Sequence, residues 1–134
     1  MIRNVLAVVD VASPAFAGVV LQRATALATL DGAKLTVATV APDFGVSAFG
    51  AMWEAGPMKL ALDQANEMLK AFADKALPGL QATRYEVYYG APEDRVPEAL
   101  AAAEADLLVI AANSAPLAAA LAERQGLSVY LVGG

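Results

Sequence analysis

The chain has 134 residues, which is room for one domain built on one hydrophobic core. Hydrophobic residues make up 58% and charged residues 17%, so the composition is far from that of a disordered chain. A net charge of −5, with nine Lys and Arg and no basic cluster, argues against nucleic-acid binding by phosphate neutralisation and against a basic membrane-surface helix. The absence of Cys and His excludes thiol chemistry, disulfides, imidazole bases and ordinary zinc sites.

Ile2 to Val9 is an apolar, β-branched run ending at Asp10, and it predicts a strand buried on both faces. Met1 to Val5 leads straight into it without the features of a signal peptide, so the cytoplasm is the expected location. Ser13-Pro14 predicts an N-cap and first-turn proline, opening a helix to about Leu30 with Phe16, Val20, Ala24 and Leu27 on one face. Asp31-Gly32 is its stop signal, and Lys34 to Val40 is a second buried strand.

Pro42 to Pro57 reads as a loop by its glycines. Helical periodicity returns from about Met58 to Lys75, with Leu62, Ala65, Leu69, Phe72 and Ala76 on the apolar side. Gln81 to Tyr89 is a third strand, and its polar and aromatic content places it near a sheet edge. After the turn Gly90-Ala91-Pro92, a helix starting near Asp94 would keep Pro97 inside its first turn and end near Ala105. Leu107 to Ala112 is a fourth buried strand. Asn113 or Ser114 then caps a short helix, Pro116 to Arg124, and Ser128 to Val132 is the last strand.

The apolar run from Val96 to Ala122 is interrupted by Glu98, Glu104 and Asp106, which makes it a helix–strand–helix passage and not a membrane span. Apolar strands alternating with helices predict an α/β fold: a single doubly wound domain over residues 1–134 with a five-stranded, mainly parallel sheet.

Four local patterns, in order and correctly spaced, carry a resemblance. They are Asp10 at the end of the first strand, Leu30-Asp31-Gly32-Ala33 leading into Lys34-Leu35-Thr36-Val37, Gly90-Ala91-Pro92 after the third strand, and Asp106-Leu107-Leu108-Val109-Ile110. Together they resemble the universal stress protein family, over nearly the whole chain. The resemblance implies the adenine nucleotide alpha-hydrolase-like fold of that family, with Asp10 beside an adenine pocket and a homodimer formed through the last strand, Val129, Tyr130 and Leu131.

The sequence departs from the family where ATP-binding members carry Gly-x-x-Gly, a spacer and Gly-Ser or Gly-Thr. Here that segment reads Ala111-Ala112-Asn113-Ser114-Ala115-Pro116-Leu117-Ala118, with no glycine before Gly126. A Cβ at every position hinders close approach of backbone to phosphate, and Pro116 removes a donor. Tight ATP binding is not expected, and a weak ATP or AMP contact is the most that segment offers.

Asp10 either hydrogen-bonds a nucleobase or ribose at the carboxyl end of the sheet or is a solvated, capping carboxylate. Val40 would line the same cleft or be plain core. Asn113 and Ser114 either contact an anion or cap the short helix. Phe44, Phe49, Met52 and Trp53 concentrate large apolar groups among glycines, as a lid, as a protein-partner patch or as side chains completing the core. Tyr85 and Tyr89 share one face of their strand and Tyr88 the other, as packing groups. No catalytic or metal constellation is visible. The leading expectation is a cytoplasmic regulatory or interaction protein with no tightly held cofactor. The alternatives are an adenine-nucleotide sensor acting through an altered loop and, last, an enzyme.

Overall fold

The computed structural model describes residues 1–41, 56–124 and 126–133. In chain order the elements are β1 (Asn4–Val8), α1 (Pro14–Asp31), β2 (Lys34–Ala41), α2 (Gly56–Ala76), β3 (Arg84–Tyr89), α3 (Pro92–Ala103), β4 (Leu107–Ala111), a 3-10 turn (Ala112–Ser114), α4 (Ala115–Leu121) and β5 (Ser128–Val132). The five strands form one sheet in the order β3-β2-β1-β4-β5, and every pairing is parallel. Parallel neighbours need a crossover, which is why each of the first four strands is followed by a helix.

Two hydrophobic layers cover the sheet. On one face Val5, Ala7, Val9, Leu35, Val37, Leu107 and Val109 pack against Ala17, Val20, Leu21, Ala24 and Ala28 of α1 and Leu69 and Ala73 of α2. On the other face Leu6, Ala38, Leu108 and Ile110 meet Val96, Ala99 and Leu100 of α3 and Ala118 and Leu121 of α4. Alternate residues of one strand therefore serve opposite layers, as the period of two requires. Tyr85 joins the first layer and Tyr88 the second, on the opposed faces that their spacing implies. Alanine supplies most of the buried face of α1, which lets its backbone lie close to the sheet.

β1 is central and its ends are tied. At its start the Asp106 carboxylate accepts the Arg3 N–H at 2.9 Å and the Asn4 N–H at 2.9 Å, and Asp31 accepts the Ile2 N–H at 2.8 Å. At its far end the buried Thr39 hydroxyl donates to the Val9 carbonyl at 2.7 Å, satisfying a group that has left the ladder. Gly32, at φ 64°, closes α1 in the left-handed conformation, with the Gly32 and Ala33 N–H groups returning to Thr29 and Ala28. The Asp-Gly stop signal in the sequence thus does two jobs: Gly32 ends the helix and Asp31 holds the N-terminal segment.

β3 is an edge strand, as its composition implied, and its outer edge is partly covered. Asn66 of α2 accepts the Val87 N–H at 2.8 Å. Arg84 and Glu86 pair at 2.7 Å on the same strand, charges of the kind that discourage edge pairing. β5, the other edge, carries exposed Tyr130 and Leu131.

Some boundaries differ from the sequence expectation. α3 starts at Pro92 and not Asp94, so Pro97 lies in the second turn. Pro92 supplies the preset φ of a first helical residue, and the Asp94 and Arg95 N–H groups bond the Ala91 carbonyl. The missing Pro97 N–H deprives only the carbonyl of Glu93, an exposed residue that water can serve, and burial of Val96, Ala99 and Leu100 offsets that loss. α3 ends at Ala103 because Glu104 turns left-handed at φ 50°. α4 is shorter than expected, and Ala112–Ser114 forms the 3-10 turn before it.

Burial would raise the Asp106 carboxyl, but hydrogen bonds from the N–H groups of Asn4, Arg3 and its own residue, with the N-terminal charge, hold it below the ordinary 3.8. A folded value below the unfolded one contributes stability at neutral pH that is lost as the pH falls through the folded value. Asp106→Ala is expected to lower stability in urea unfolding by about 1–2 kcal/mol at neutral pH, with the deficit shrinking as the pH falls below the ordinary 3.8 and through the lowered folded value; a deficit independent of pH would refute the charge-assisted clamp. Thr39→Val, which leaves the Val9 carbonyl unpaired, is expected to cost about 1–2 kcal/mol by the same measurement, and a neutral result would mean that the end of β1 is held by its ladder alone.

Candidate functional site

The chain order β1, β2, β3 runs outward on one side of the sheet, and β4 and β5 run outward on the other. The direction reverses between β1 and β4, so the loops leaving their carboxyl ends part and open a crevice. A cavity of ≈ 170 Å³ lies at this point. Its floor comes from the ends of three strands: Val8 and Val9, Val40, and Ile110 and Ala111. α1 supplies one wall through Phe16, Ala17 and Val20. Pro92 and Val96 of α3 and Leu117 of α4 supply the other.

Four polar side chains stand at this apolar hollow: Asp10, Ser13, Asn113 and Ser114. Asp10, Val40, Asn113 and Ser114, far apart in the chain, are therefore brought together by the topology. Sequence inspection passed over Ser13, Phe16, Val96 and Leu117 as members of the same lining. Phe16 and Val96 carry the periodic signal of a core face, and nothing local distinguishes a core position from one beside a hollow.

Asp10 is exposed and shaped by its own turn. Its Oδ1 accepts the Ala12 N–H at 2.9 Å, and its carbonyl accepts the Ser13 N–H at 3.0 Å. The turn directs the chain from β1 into α1 and sets the carboxylate at the rim. Ser13 occupies the N-cap position of α1, and Ser114 that of α4, but neither side chain makes a capping hydrogen bond. Asn113 lies inside the 3-10 turn and does not cap it. The capping role anticipated for these residues is not what the structure shows, because Pro14, Ala112 and Pro116 at the helix starts leave fewer N–H groups in need of a cap or redirect them into the turn.

Gly90-Ala91-Pro92 forms the neighbouring corner. Gly90 has φ 135°, and a Cβ there would sit 3.1 Å from Arg95 Nε. The Arg95 side chain runs over Gly90 and its Nη1 pairs with Glu98 Oε1 at 2.8 Å. Pro92 begins the helix that carries Val96 into the cavity wall. The Gly-x-Pro pattern is thus a turn with a steric requirement at each end.

Chemically the hollow offers apolar contact, one carboxylate, two hydroxyls and one amide. Among the described residues no group of His, Cys, Asp or Glu could hold a metal ion. Burial, with the Asp74 charge, pushes the Tyr85 phenol up, and burial with the Glu86 charge does the same for Tyr88, so neither is primed as a base. Phe44, Phe49, Met52 and Trp53 lie outside the described residues. Val129, Tyr130 and Leu131 lie on the outer strand, away from the cavity lining. No helix among the described residues is long and apolar enough to cross a membrane.

Residues 1–133 match the model of the Universal stress protein family. No curated protein matches the chain. A solved universal stress protein in complex with cAMP superposes with a TM-score of 0.58 at 23% identity, covering 98% of this chain and 97% of that one. A universal stress protein from Archaeoglobus fulgidus gives 0.55 at 19% identity, covering 98% of both chains. A Pseudomonas aeruginosa chain described as a universal stress protein gives 0.65 at 16% identity; it covers 98% of this chain, which spans only 47% of the Pseudomonas one. At these identities the likeness is one of fold.

Proposed function

Because the chain belongs to the universal stress protein family, we propose that it acts in the cytoplasm as a homodimeric regulatory or interaction protein that does not bind ATP tightly and is not an enzyme. The observation that carries this reading is the make-up of the segment after β4. It consists of Ala111, a 3-10 turn and a seven-residue helix with proline in its first turn, and has no glycine until Gly126. A polyphosphate needs several backbone N–H groups at close range, and side chains at every position keep it from them. The contact with a second copy is assigned to β5, whose Tyr130 and Leu131 are 38% and 44% exposed beside an unpaired edge. An edge strand presents a row of N–H and C=O groups ready to pair with another chain.

A second reading, adenine-nucleotide sensing through an altered phosphate loop, draws support from the meeting of Asp10, Val40, Asn113 and Ser114 in one cavity. The fold neighbour solved with cAMP shows that this architecture accommodates a cyclic nucleotide in that protein.

Thermal unfolding with millimolar ATP, ADP and AMP, with and without magnesium, decides between them. No shift is expected. Ligand at about a hundred times its dissociation constant would add about 2.7 kcal/mol of stability, so a saturable shift would overturn the first reading. Leu131→Arg is expected to convert a dimer to a monomer in sedimentation velocity with unchanged circular dichroism. A wild-type chain that sediments as a monomer would remove the homodimer from the proposal.

A further inference from the structure

We propose that Asn66 closes the β3 edge of the sheet against a second copy of this chain, so that assembly through β5 stops at a dimer and does not run on into an open-ended ribbon. The inference rests on the reading above, that β5 is the pairing edge, and adds the device that limits the assembly.

β3 is well suited to pairing. Its sequence, Arg84-Tyr85-Glu86-Val87-Tyr88-Tyr89, is rich in aromatic and β-branched residues, the types that favour strands. It pairs with β2 on one side only. Successive residues of such a strand turn their backbone groups inward and outward by turns. The Gly90 N–H reaches inward to the Ala41 carbonyl, and the Val87 N–H turns outward. By that alternation Tyr85, Val87 and Tyr89 form the outer row, with Val87 at its middle. A partner strand would have to engage the Val87 N–H to build a ladder along β3.

Asn66 of α2 already occupies that position. Its Oδ1 accepts the Val87 N–H at 2.8 Å, where the carbonyl of a neighbouring strand would otherwise bond. Its Nδ2 donates to Glu86 Oε2 at 3.4 Å, and Glu86 Oε1 pairs with Arg84 Nη2 at 2.7 Å. Arg84 Nη1 donates in turn to the Ala102 carbonyl of α3 at 3.2 Å. α2 packs on the layer that holds Tyr85 and Val87, and α3 on the opposite layer with Tyr88. These bonds therefore pass round the outside of β3, from one helical layer to the other, as a clasp. The amide has one workable orientation, since the reverse would set an N–H against an N–H and an oxygen against a carboxylate.

β5 has a different character. Ser128-Val129-Tyr130-Leu131-Val132 carries no charge and no proline, and Tyr130 and Leu131 are exposed. With both edges open, one subunit would offer two different two-fold contacts on opposite sides of its sheet. β5-to-β5 and β3-to-β3 pairings would then alternate without closing. With β3 clasped, the single remaining contact is used up in a dimer.

The test is sedimentation velocity of the full chain over a range of concentrations. Wild type is expected to stop at the dimer. Asn66→Ala is expected to keep the wild-type circular dichroism and to form species beyond the dimer that grow with concentration. Adding Leu131→Arg, which closes the β5 edge, is expected to return those species to dimers joined through β3. Large species that persist in the double variant would be unspecific aggregates and would overturn the proposal. So would a folded Asn66→Ala chain that keeps the wild-type size. If Asn66→Ala fails to fold, Asn66→Ser, whose hydroxyl is one bond short of Val87, takes its place. Hydrogen exchange of the wild type gives an independent reading. The Val87 amide is expected to exchange at least about tenfold more slowly than an unstructured amide, and exchange at the unstructured rate would overturn the clasp. A monomeric wild type would remove the homodimer proposed above. The clasp would then stand if Asn66→Ala dimerises and fall if it stays monomeric.

Discussion

The position of β1 controls the rest of the molecule. It pairs on both sides, with β2 and β4, and Val5, Leu6 and Ala7 have no solvent exposure. A strand buried on both faces and both edges has one register available, since a shift by one residue would exchange its two hydrophobic sets. The carboxylates of Asp106 and Asp31 bind the N–H groups that enter it, and the Thr39 hydroxyl binds the carbonyl that leaves it. With both ends tied, the chain departs from the sheet at Val9, and Asp10 comes to the same rim as Asn113 and Ser114. The cavity is a consequence of how the central strand is anchored.

What the sequence made legible follows from this. The uninterrupted apolar run Leu107-Leu108-Val109-Ile110 is what a strand covered on both faces of a parallel sheet requires, so the sheet could be read from such runs. The edge position of β3 was legible for the same reason in reverse, while that of the apolar β5 came only from the family resemblance. Local rules failed where packing outweighed them. Pro97 argued for a later start to α3, yet the burial of Val96, Ala99 and Leu100 carries the helix through it. Ser13, Asn113 and Ser114 have the composition of caps but make no capping bonds, because proline and the 3-10 turn alter what the helix ends need. Ser13, Phe16, Val96 and Leu117 could not be joined to the cleft from sequence, since their proximity depends on strand order and not on spacing.

Asp106 shows how a family pattern acquires a physical meaning. In the sequence it is the first letter of an Asp-Leu-Leu-Val-Ile run, with no evident task. In the fold it spans about a hundred residues to hold the backbone of Arg3 and Asn4. Its own carbonyl accepts the Ser128 N–H at 3.0 Å, so one residue ties β1, β4 and β5 at the base of the sheet. Gly90 and Pro92 are similar: one accommodates the Arg95 side chain and a φ of 135°, the other starts a helix. These requirements concern the scaffold and say nothing of phosphate. A chain can keep them all while the segment after β4 changes from glycine to alanine. That is why the family match spans residues 1–133 even though the phosphate-binding pattern is missing.

The two surfaces assigned a role share one strand. Ile110 and Ala111 line the cavity, and in the β4–β5 ladder they stand opposite Leu131 and Val132. Adjacent strands lie about 4.8 Å apart, so the cavity and the β5 edge are separated by a single ladder. Proximity alone does not couple them. A ligand shifts an edge contact only if it binds two arrangements of β4 with different affinity. β4 is buried along Leu107 to Ile110 and paired on both sides, which leaves little freedom for a second arrangement within the strand. The freedom available lies just beyond it, in the exposed turn Ala112-Asn113, where the rim of the cavity and the start of α4 meet. A link between ligand and assembly would therefore run through α4, whose Leu121 is buried beneath the sheet layer that also receives Val129, more readily than through the ladder itself.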